Sequence, residues 1–466
     1  MLGSYHWPEQ RNILEREAIV RNHITEHQAT TLLTKQNNTD PLSLKTAAVC
    51  SQVSVRTVCV VGLGYIGLPT AAILAHTGYQ VHGVDVRHST IKRICAGEAH
   101  IFEPGLDQFV REAVDNGQLT ASTVPKAADV FIVCVPTPVT PDHRPDLQFV
   151  QQASRSIRPY VKKGDLIILE STSPPGTTEQ VVTKLAVPGE FAIGRDIFVA
   201  YCPERVLPGR ILADAVENDR IVGGVTEACS QQAKLFYESF VRGNVFATNA
   251  VTAELVKLAE NSFRDVNIAF ANELANLAER YDADPFEIVD LANRHPRVEI
   301  LNPGPGVGGH CIPVDPWFLV HAAPETAQLI RTAREVNDLR PAQIVDKVAA
   351  IAKRHPHAVV GCLGLTYKAD VDDLRESPSL EIVRRLRKIA EERVLVCDPL
   401  VSAGEFDEFP LSPLSEVLEK CDVLVLLTDH TPFREIAGDL LAQKTLIDPR
   451  GAWRCSSTKS SQQAAA

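Results

Sequence analysis

Three glycines spaced Gly62-x-Gly64-x-x-Gly67 stand between the short β-branched run Thr57–Gly62 and a stretch of helical character that ends near Thr77. A strand that must turn at once into a helix through glycines leaves few folds open. The first glycine permits the turn, the second lets backbone approach a pyrophosphate, and the third lets the helix pack on the strand. The free N–H groups at the start of that helix form an anion site. Asp85 closes the next strand-like run, Gln80–Asp85. A carboxylate at that position suits the hydroxyls of an adenosine ribose and repels a 2′-phosphate, so the motif favours NAD over NADP. Arg87, two residues on, works against that preference.

The same alternation continues along the chain. Ala128–Val135, Leu166–Leu169 and Ile197–Ala200 are further apolar runs, and strands alternating with helices imply a parallel, doubly wound sheet. From about Thr252 to Asn293 the apolar spacing changes to three and four residues, with no Gly or Pro before Pro285. This predicts one helix of about thirty residues, long enough to pack on more than one neighbour and to act as a dimer spine. After about residue 341 the α/β pattern returns in Ala358–Gly364, Arg393–Asp398, Cys421–Leu427 and Thr445–Asp448. VVGLG at 60–64 is echoed by VVGCLG at 359–364, and ADVFIVCVPTP at 128–138 by CDVLVLLTDHTP at 421–432. The fold class expected is therefore α/β, with two Rossmann-like doubly wound domains joined by a central long-helix region. The expected division is an N-terminal extension over 1–55, a NAD-binding domain over 56–250, a helical dimerisation region over 251–340, a second Rossmann-like domain over 341–455 and a disordered tail over 456–466. Within the polar extension a helix fits about Glu9–Lys35.

Composition narrows the function classes. The net charge of −11 argues against a general nucleic-acid or anionic-membrane surface. No apolar run is long enough to cross a bilayer, and the N-terminal MLGSYHWPEQRNILEREAIVRN lacks the apolar core of a secretory signal. Eleven cysteines, an odd number without CxxC pairs, suit a reducing cytoplasm rather than a disulfide framework. No metal site is expected, because no second ligand pair accompanies His310 and Cys311.

Asn302–Asp315 (NPGPGVGGHCIPVD) places four glycines and three prolines around a single cysteine, Cys311. Such a segment is neither helix nor central strand, but a constrained loop that presents a thiol. A thiol held among polar groups suits nucleophilic work. Lys257 and Asn261 stand four apart, on one face of the long helix, beside Glu254, Glu260 and Arg264. Leu255, Leu258 and Ala259 make that turn largely apolar, which predicts a partly closed cleft around the ammonium.

From about Thr57 to Arg454 the chain resembles the UDP-glucose/GDP-mannose dehydrogenase family. The resemblance is carried by VGLGYIGLPTA (61–71), VPTP (135–138), ESTSP (170–174), YCPERVLPG (201–209), KLAENSFRDVNIAFANEL (257–274), NRHPRV (293–298), GPGVGGHCIPVDPWF (304–318), RTAREVND (331–338) and DDLRESP (372–378). It implies a NAD domain, a central region used for homodimerisation and a C-terminal domain that grips UDP. It also implies a two-step, four-electron oxidation of a UDP-sugar at C6, serving surface polysaccharide precursor synthesis. Cys311 would add to the intermediate aldehyde and carry a thioester. Lys257 would stabilise developing alkoxide charge or move a proton, with Asn261 as second donor and Asp315 as the family's carboxylate four residues after the cysteine. Glu204 matches a carboxylate that helps activate water, and Thr137 its partner near the nicotinamide. Where some relatives carry a second glutamate four residues after the first, this chain has Pro208. Tyr65, Ile66, Thr172 and Arg375 match NAD contacts, beside Gly62, Gly64, Gly67 and Asp85. Arg205, Val206, Arg264, His295, Arg297 and Gly308 match sugar-nucleotide positions, and Tyr367, Lys368 and Arg450 match UDP positions. His295-Pro-Arg297 favours N-acetylmannosamine over N-acetylglucosamine or glucose as the sugar.

Overall fold

The computed structural model describes residues 56–402 and 406–454. The helix expected over Glu9–Lys35, the rest of the extension and the tail from 456 lie outside the described residues. Eight strands form the first sheet: β1 (Thr57–Val61), β2 (Gln80–Val84), β3 (Leu119–Ser122), β4 (Val130–Val133), β5 (Leu166–Leu169), β6 (Phe198–Tyr201), β7 (Arg220–Gly224) and β8 (Val245–Asn249). Their order is β3-β2-β1-β4-β5-β6-β7-β8, parallel except where β7 runs against β6. The central strands are apolar on both faces, as a sheet covered by helices on either side requires. Val130–Val133 and Leu166–Leu169 are buried throughout. β3, with its sequence LTAS, has no counterpart among the strands expected from sequence, and neither have β7 and β8. Gly223, Gly224 and the polar end Ala247–Asn249 hide them from a reading that looks for apolar runs.

Four helices position the chemistry: α1 (Gly67–His76), α2 (Ala250–Arg280), α3 (Asp315–Ala322) and α4 (Gln328–Arg354). The 31 residues of α2 match the long helix expected. Its start is fixed by Asn249, whose side chain accepts a hydrogen bond from the Thr252 N–H at 2.8 Å, satisfying one of the free donors of the first turn. α4 lies along α2 and runs straight through position 340, where the α/β pattern was expected to resume. Pro341 stands inside it, although an interior proline removes a backbone hydrogen bond and costs about 3 kcal/mol. The ring is buried against Gly306, where a Cβ would approach it to 3.2 Å. Between α2 and α4 lies a buried ion pair, Asp265–Arg334, with side chains 0% and 1% exposed. Asn337 donates to the same aspartate at 2.8 Å.

The second sheet is smaller and wholly parallel: β9 (Val360–Leu363), β10 (Val394–Cys397), β11 (Val423–Leu426) and β12 (Thr445–Ile447), in the order β10-β9-β11-β12. All four fall within the runs expected from sequence. Val360, Cys362, Val396 and Val425 build its core with Ile344 and Val348 of α4, so the long helix belongs to both halves.

Candidate active site

The turn after β1 is built by its glycines. Gly62 has φ of +93°, and a Cβ there would lie 2.4 Å from the Cys134 carbonyl oxygen. A Cβ at Gly67 would lie 1.8 Å from the Gly62 carbonyl oxygen, so only glycine lets α1 come this close to β1. Gly64 differs: nothing lies within 4 Å of its Cβ position, which leaves the space before α1 open. The first turn of α1 has neither a side-chain cap nor an acidic residue, so its N–H groups suit a phosphate. Asp85 faces the same loop and accepts hydrogen bonds from the Leu63 and Arg87 N–H groups at 3.2 and 2.9 Å. An open glycine, an uncapped helix end and a carboxylate on the next strand together fit a dinucleotide.

Beside this turn, at the carboxyl ends of β4, β5 and β6, a cleft of about 560 Å³ opens. Ile66, Thr137, Thr172, Glu204, Cys311 and Asp315 all line it, so residues from five separate stretches of chain meet as the motifs implied. Lys257 and Asn261 of α2 are bonded to two of these lining residues. The Lys257 ammonium donates to the Glu204 carbonyl oxygen at 2.7 Å, and the Asn261 amide donates to the Asp315 carboxylate at 2.6 Å. The Cys311 carbonyl accepts from the Asp315 N–H at 2.8 Å, which fixes the turn from the loop into α3. The surroundings of Lys257 differ from the sequence expectation. Leu258 is buried, but Leu255 and Ala259 face outward, so the ammonium is placed by a backbone carbonyl rather than enclosed by that turn.

Cys311 opens onto the cleft and is walled by protein on its other sides. That burial pushes its thiol up, the Asp315 carboxylate adds to the effect, and Lys257 opposes it. Burial also raises Asp315 to about 6, against the pull of Lys257 and Asn261. Glu204 is buried; Oε1 accepts from the Arg205 N–H at 2.7 Å, while Oε2 has no hydrogen-bond partner. A buried oxygen with no donor, on the wall of the cleft that holds the thiol, is suited to accept a proton from water.

The cysteine loop is held from the C-terminal domain. A Cβ at Gly308 would lie 2.6 Å from the Tyr367 Cβ, and the Tyr367 ring covers Gly309. Arg450 donates to the Leu427 carbonyl at 3.0 Å and lies 3.6 Å from the Cβ position of Gly304. Lys368 is exposed beside them. Arg375 grips Asp373 through two nitrogens, lies 4.7 Å above the Tyr65 ring, and accepts the Gly309 N–H on its carbonyl. One residue thus touches the cofactor turn and the nucleophile loop. Arg205 is drawn into an ion pair with Glu260 at 2.8 Å beside half-buried Val206. Arg264, His295 and Arg297 are exposed and do not line the Cys311 cleft. Conversely, Glu170 and the stacked pair His143–Trp317, with centroids 4.1 Å apart, line it without having been singled out. Glu170 and Trp317 lie within the strings ESTSP and GPGVGGHCIPVDPWF but carry no assigned role, and His143 lies outside every quoted string.

Comparison with known proteins gives this geometry a setting. Models of the UDP-glucose/GDP-mannose dehydrogenase family match in three parts: the NAD binding domain over residues 56–241, the central domain over 251–339 and the UDP binding domain over 361–454. An NDP-N-acetyl-D-galactosaminuronic acid dehydrogenase of Ralstonia solanacearum is 49% identical over 411 residues, spanning 86% of this chain and 97% of the relative. The UDP-N-acetyl-D-mannosamine dehydrogenase of Escherichia coli (strain K12) is 47% identical over 425 residues, spanning 86% and 100%. Among solved structures, a UDP-N-acetyl-mannosamine dehydrogenase from Staphylococcus aureus is 42% identical with a TM-score of 0.79, over 86% of this chain and 96% of that one.

Proposed function

This chain belongs to the UDP-glucose/GDP-mannose dehydrogenase family, an NAD-dependent nucleotide-sugar dehydrogenase, and from that premise we propose that it oxidises UDP-N-acetyl-D-mannosamine at C6 to the uronate, through a thioester on Cys311. The observation that carries the reading is the meeting of Cys311, Asp315 and Glu204 on one cleft beside the glycine turn, with Lys257 and Asn261 hydrogen-bonded to the last two. Gly62, Gly64, Tyr65, Ile66, Gly67, Asp85, Thr137, Thr172 and Arg375 would hold NAD, which would supply the hydride acceptor in each of the two oxidations.

The chain's own groups do the rest. Lys257 stabilises the alkoxide that forms as the C6 hydroxyl loses its proton; one preorganised donor of this kind contributes about 3–4 kcal/mol. Cys311 sulfur then bonds to the aldehyde carbon as the carbonyl π pair moves to oxygen, which takes up the proton the thiol gives, and Asn261 and Lys257 hold the oxygen of the resulting thiohemiacetal. Once that carbon is oxidised to a thioester, Glu204 takes a proton from water as the water oxygen attacks. The C–S pair returns to Cys311, and the carboxylate leaves. Overall the alcohol loses four electrons, with one water consumed.

The nucleotide is assigned to the C-terminal domain, through Gly308, Tyr367, Lys368 and Arg450. Arg205, Val206, Arg264, His295 and Arg297 are assigned to the sugar nucleotide; the exposure of the last three suits completion of the site in a homodimer. Phe263, Phe270 and Leu277 support that assembly, being exposed along one stripe of α2 at heptad spacing. The division 56–250, 251–340 and 341–455 follows these roles. Among the described residues no helix is long and apolar enough to cross a membrane.

NADH release should be measured with UDP-N-acetylmannosamine, UDP-N-acetylgalactosamine, UDP-N-acetylglucosamine, UDP-glucose and GDP-mannose. Two NADH per UDP-N-acetylmannosamine consumed, at the highest kcat/KM of the set, is expected. One NADH with accumulating aldehyde would sink the thioester, and a higher kcat/KM with UDP-N-acetylgalactosamine would transfer the substrate to the other sugar named among the relatives.

A further inference from the structure

A cation taken out of water needs a counter-charge, so buried arginines are usually held by carboxylates. Arg334 of α4 follows this rule through Asp265. Arg340, further along the same helix, does not. It is 3% exposed, and its contacts are neutral: Nε donates to the Gly304 carbonyl at 2.9 Å, and Nη1 donates to the side-chain oxygens of Asn276 and Gln343. The acid whose charge reaches it, Glu279, is itself paired with Lys347 at 2.5 Å. Nη2 has no hydrogen-bond partner among the described residues, and it is not sealed from solvent as Nε of Arg334 is. It opens onto a cavity of about 530 Å³ that Arg340 lines, between α2, α4, the helix Pro285–Ala292 and the end of β12. Phe286, Ile344, Ile351 and Leu446 make much of the wall apolar. The Asp448 carboxylate, also on the wall, is satisfied by the N–H groups of Arg450, Gly451 and Trp453 at 3.0, 2.8 and 2.8 Å. Asp282 and Arg354 are exposed and carry opposite charges. Cys311, Gly308, Tyr367, Lys368 and Arg450 do not line this cavity.

We propose that this cavity is a second ligand site, separate from the cofactor and nucleotide sites, which takes a small organic carboxylate. The carboxylate oxygens accept from Arg340 Nη2, and an apolar body lies against Phe286, Ile344, Ile351 and Leu446. Charge sets the class of anion. With Glu279 paired and Asp448 capped, one positive charge is left over in the cavity wall, and a single negative charge balances it. A phosphate monoester carries nearly two negative charges and would leave one over in turn. Volume sets the size. The cavity falls in the range of about 300–1,000 Å³ in which pockets enclose small organic molecules, and a bare inorganic anion would leave the apolar wall uncovered. The guanidinium is also held in advance: Gly304, Asn276 and Gln343 fix its plane, so a ligand meets a donor that is already oriented.

Fluorine NMR titrations of the full-length protein test this, with NADH and UDP present at saturation so that the cofactor and nucleotide sites are filled. The probe 4-fluorophenylacetate should bind saturably with a Kd on the order of 1 mM. The matched alcohol, 2-(4-fluorophenyl)ethanol, has the same body without the charge and should bind at least about tenfold more weakly. Arg340→Gln should weaken the acid by about the same factor. That variant also disturbs the contact with Gly304, so a second one leaves Arg340 in place: Ala350→Trp, on the cavity wall, should block the acid while NADH formation from the sugar nucleotide stays unchanged. No saturable binding up to about 50 mM, equal affinity for acid and alcohol, or unaltered binding in both variants overturns the proposal. An acid that binds only when UDP is left out also overturns it, because the cavity would then belong to the nucleotide site. Tighter binding of 4-fluorophenyl phosphate than of the acid overturns the assignment to a single negative charge.

Discussion

Replacing Asp315 by Asn should make the protein more stable and less active, and the pH dependence of the gain can be worked out in advance. Asp315 is 3% exposed at the start of α3, and burial raises its carboxyl from 3.8 to about 6. A carboxyl that binds its proton more tightly when folded contributes most to stability below its unfolded pKa. That contribution is lost as the pH rises through the folded value. At 1.36 kcal/mol per unit, ionising Asp315 costs the fold about 3 kcal/mol above pH 6 and roughly half of that at pH 5. Asparagine keeps the shape and an oxygen for the Asn261 amide, which now donates at 2.6 Å, but carries no charge. Urea unfolding followed by circular dichroism at pH 5 and pH 8 should therefore show the variant ahead by about 1.5 and about 3 kcal/mol respectively. Turnover should fall at both pH values, because the charge that the fold tolerates at a cost is one the site uses. A stability difference that is the same at both pH values, or a variant less stable at pH 8, would refute the reasoning.

Other substitutions separate the remaining roles. Cys311→Ser should bind NAD and UDP-sugar normally by calorimetry yet give no uronate, stopping after one NADH at most; uronate at the unmodified rate would remove the covalent step. Asp85→Ala should raise the NADP-to-NAD ratio of kcat/KM about tenfold by removing a carboxylate from the ribose side, and an unchanged ratio would detach Asp85 from cofactor choice. Arg334→Leu leaves Asp265 buried without its cation and should cost about 3–5 kcal/mol, much of it recovered in the double variant with Asp265→Asn; no recovery would mean that the loss is one of packing rather than charge.

The fold was legible where local patterns decide structure. Buried parallel strands such as Val130–Val133 are continuous apolar runs, and glycines at fixed offsets have few explanations besides the turn before α1. α4 was not legible, because Pro341 reads as a helix breaker, yet it stands inside the helix with its buried ring close to Gly306. Much of the site was legible for a similar reason, since Cys311 sits in a segment that no regular element accommodates. The place of Glu170 was not: it follows the apolar strand β5, and the groups that donate to it, Tyr237 and Cys134, are 67 and 36 residues away. The sequence motifs also carry no distinction between Asp315 and Arg297, one buried in the cleft and the other exposed outside it.

The junction between β8 and α2 has a consequence for building recombinant proteins. The strand ends at Asn249 and the helix starts at Ala250, with Asn249 capping it, so no linker separates the first sheet from the long helix. The two therefore move as one piece, and a chimera spliced at 250 would sever a helix from its own cap. At the far end, five residues, His355–Val359, separate α4 from β9, and they bear no part of the cleft. A chimera that borrows another nucleotide-gripping domain and is joined there keeps the reacting groups and their long helices with the parent, but the incoming sheet must accept Ile344 and Val348 of α4 into its core.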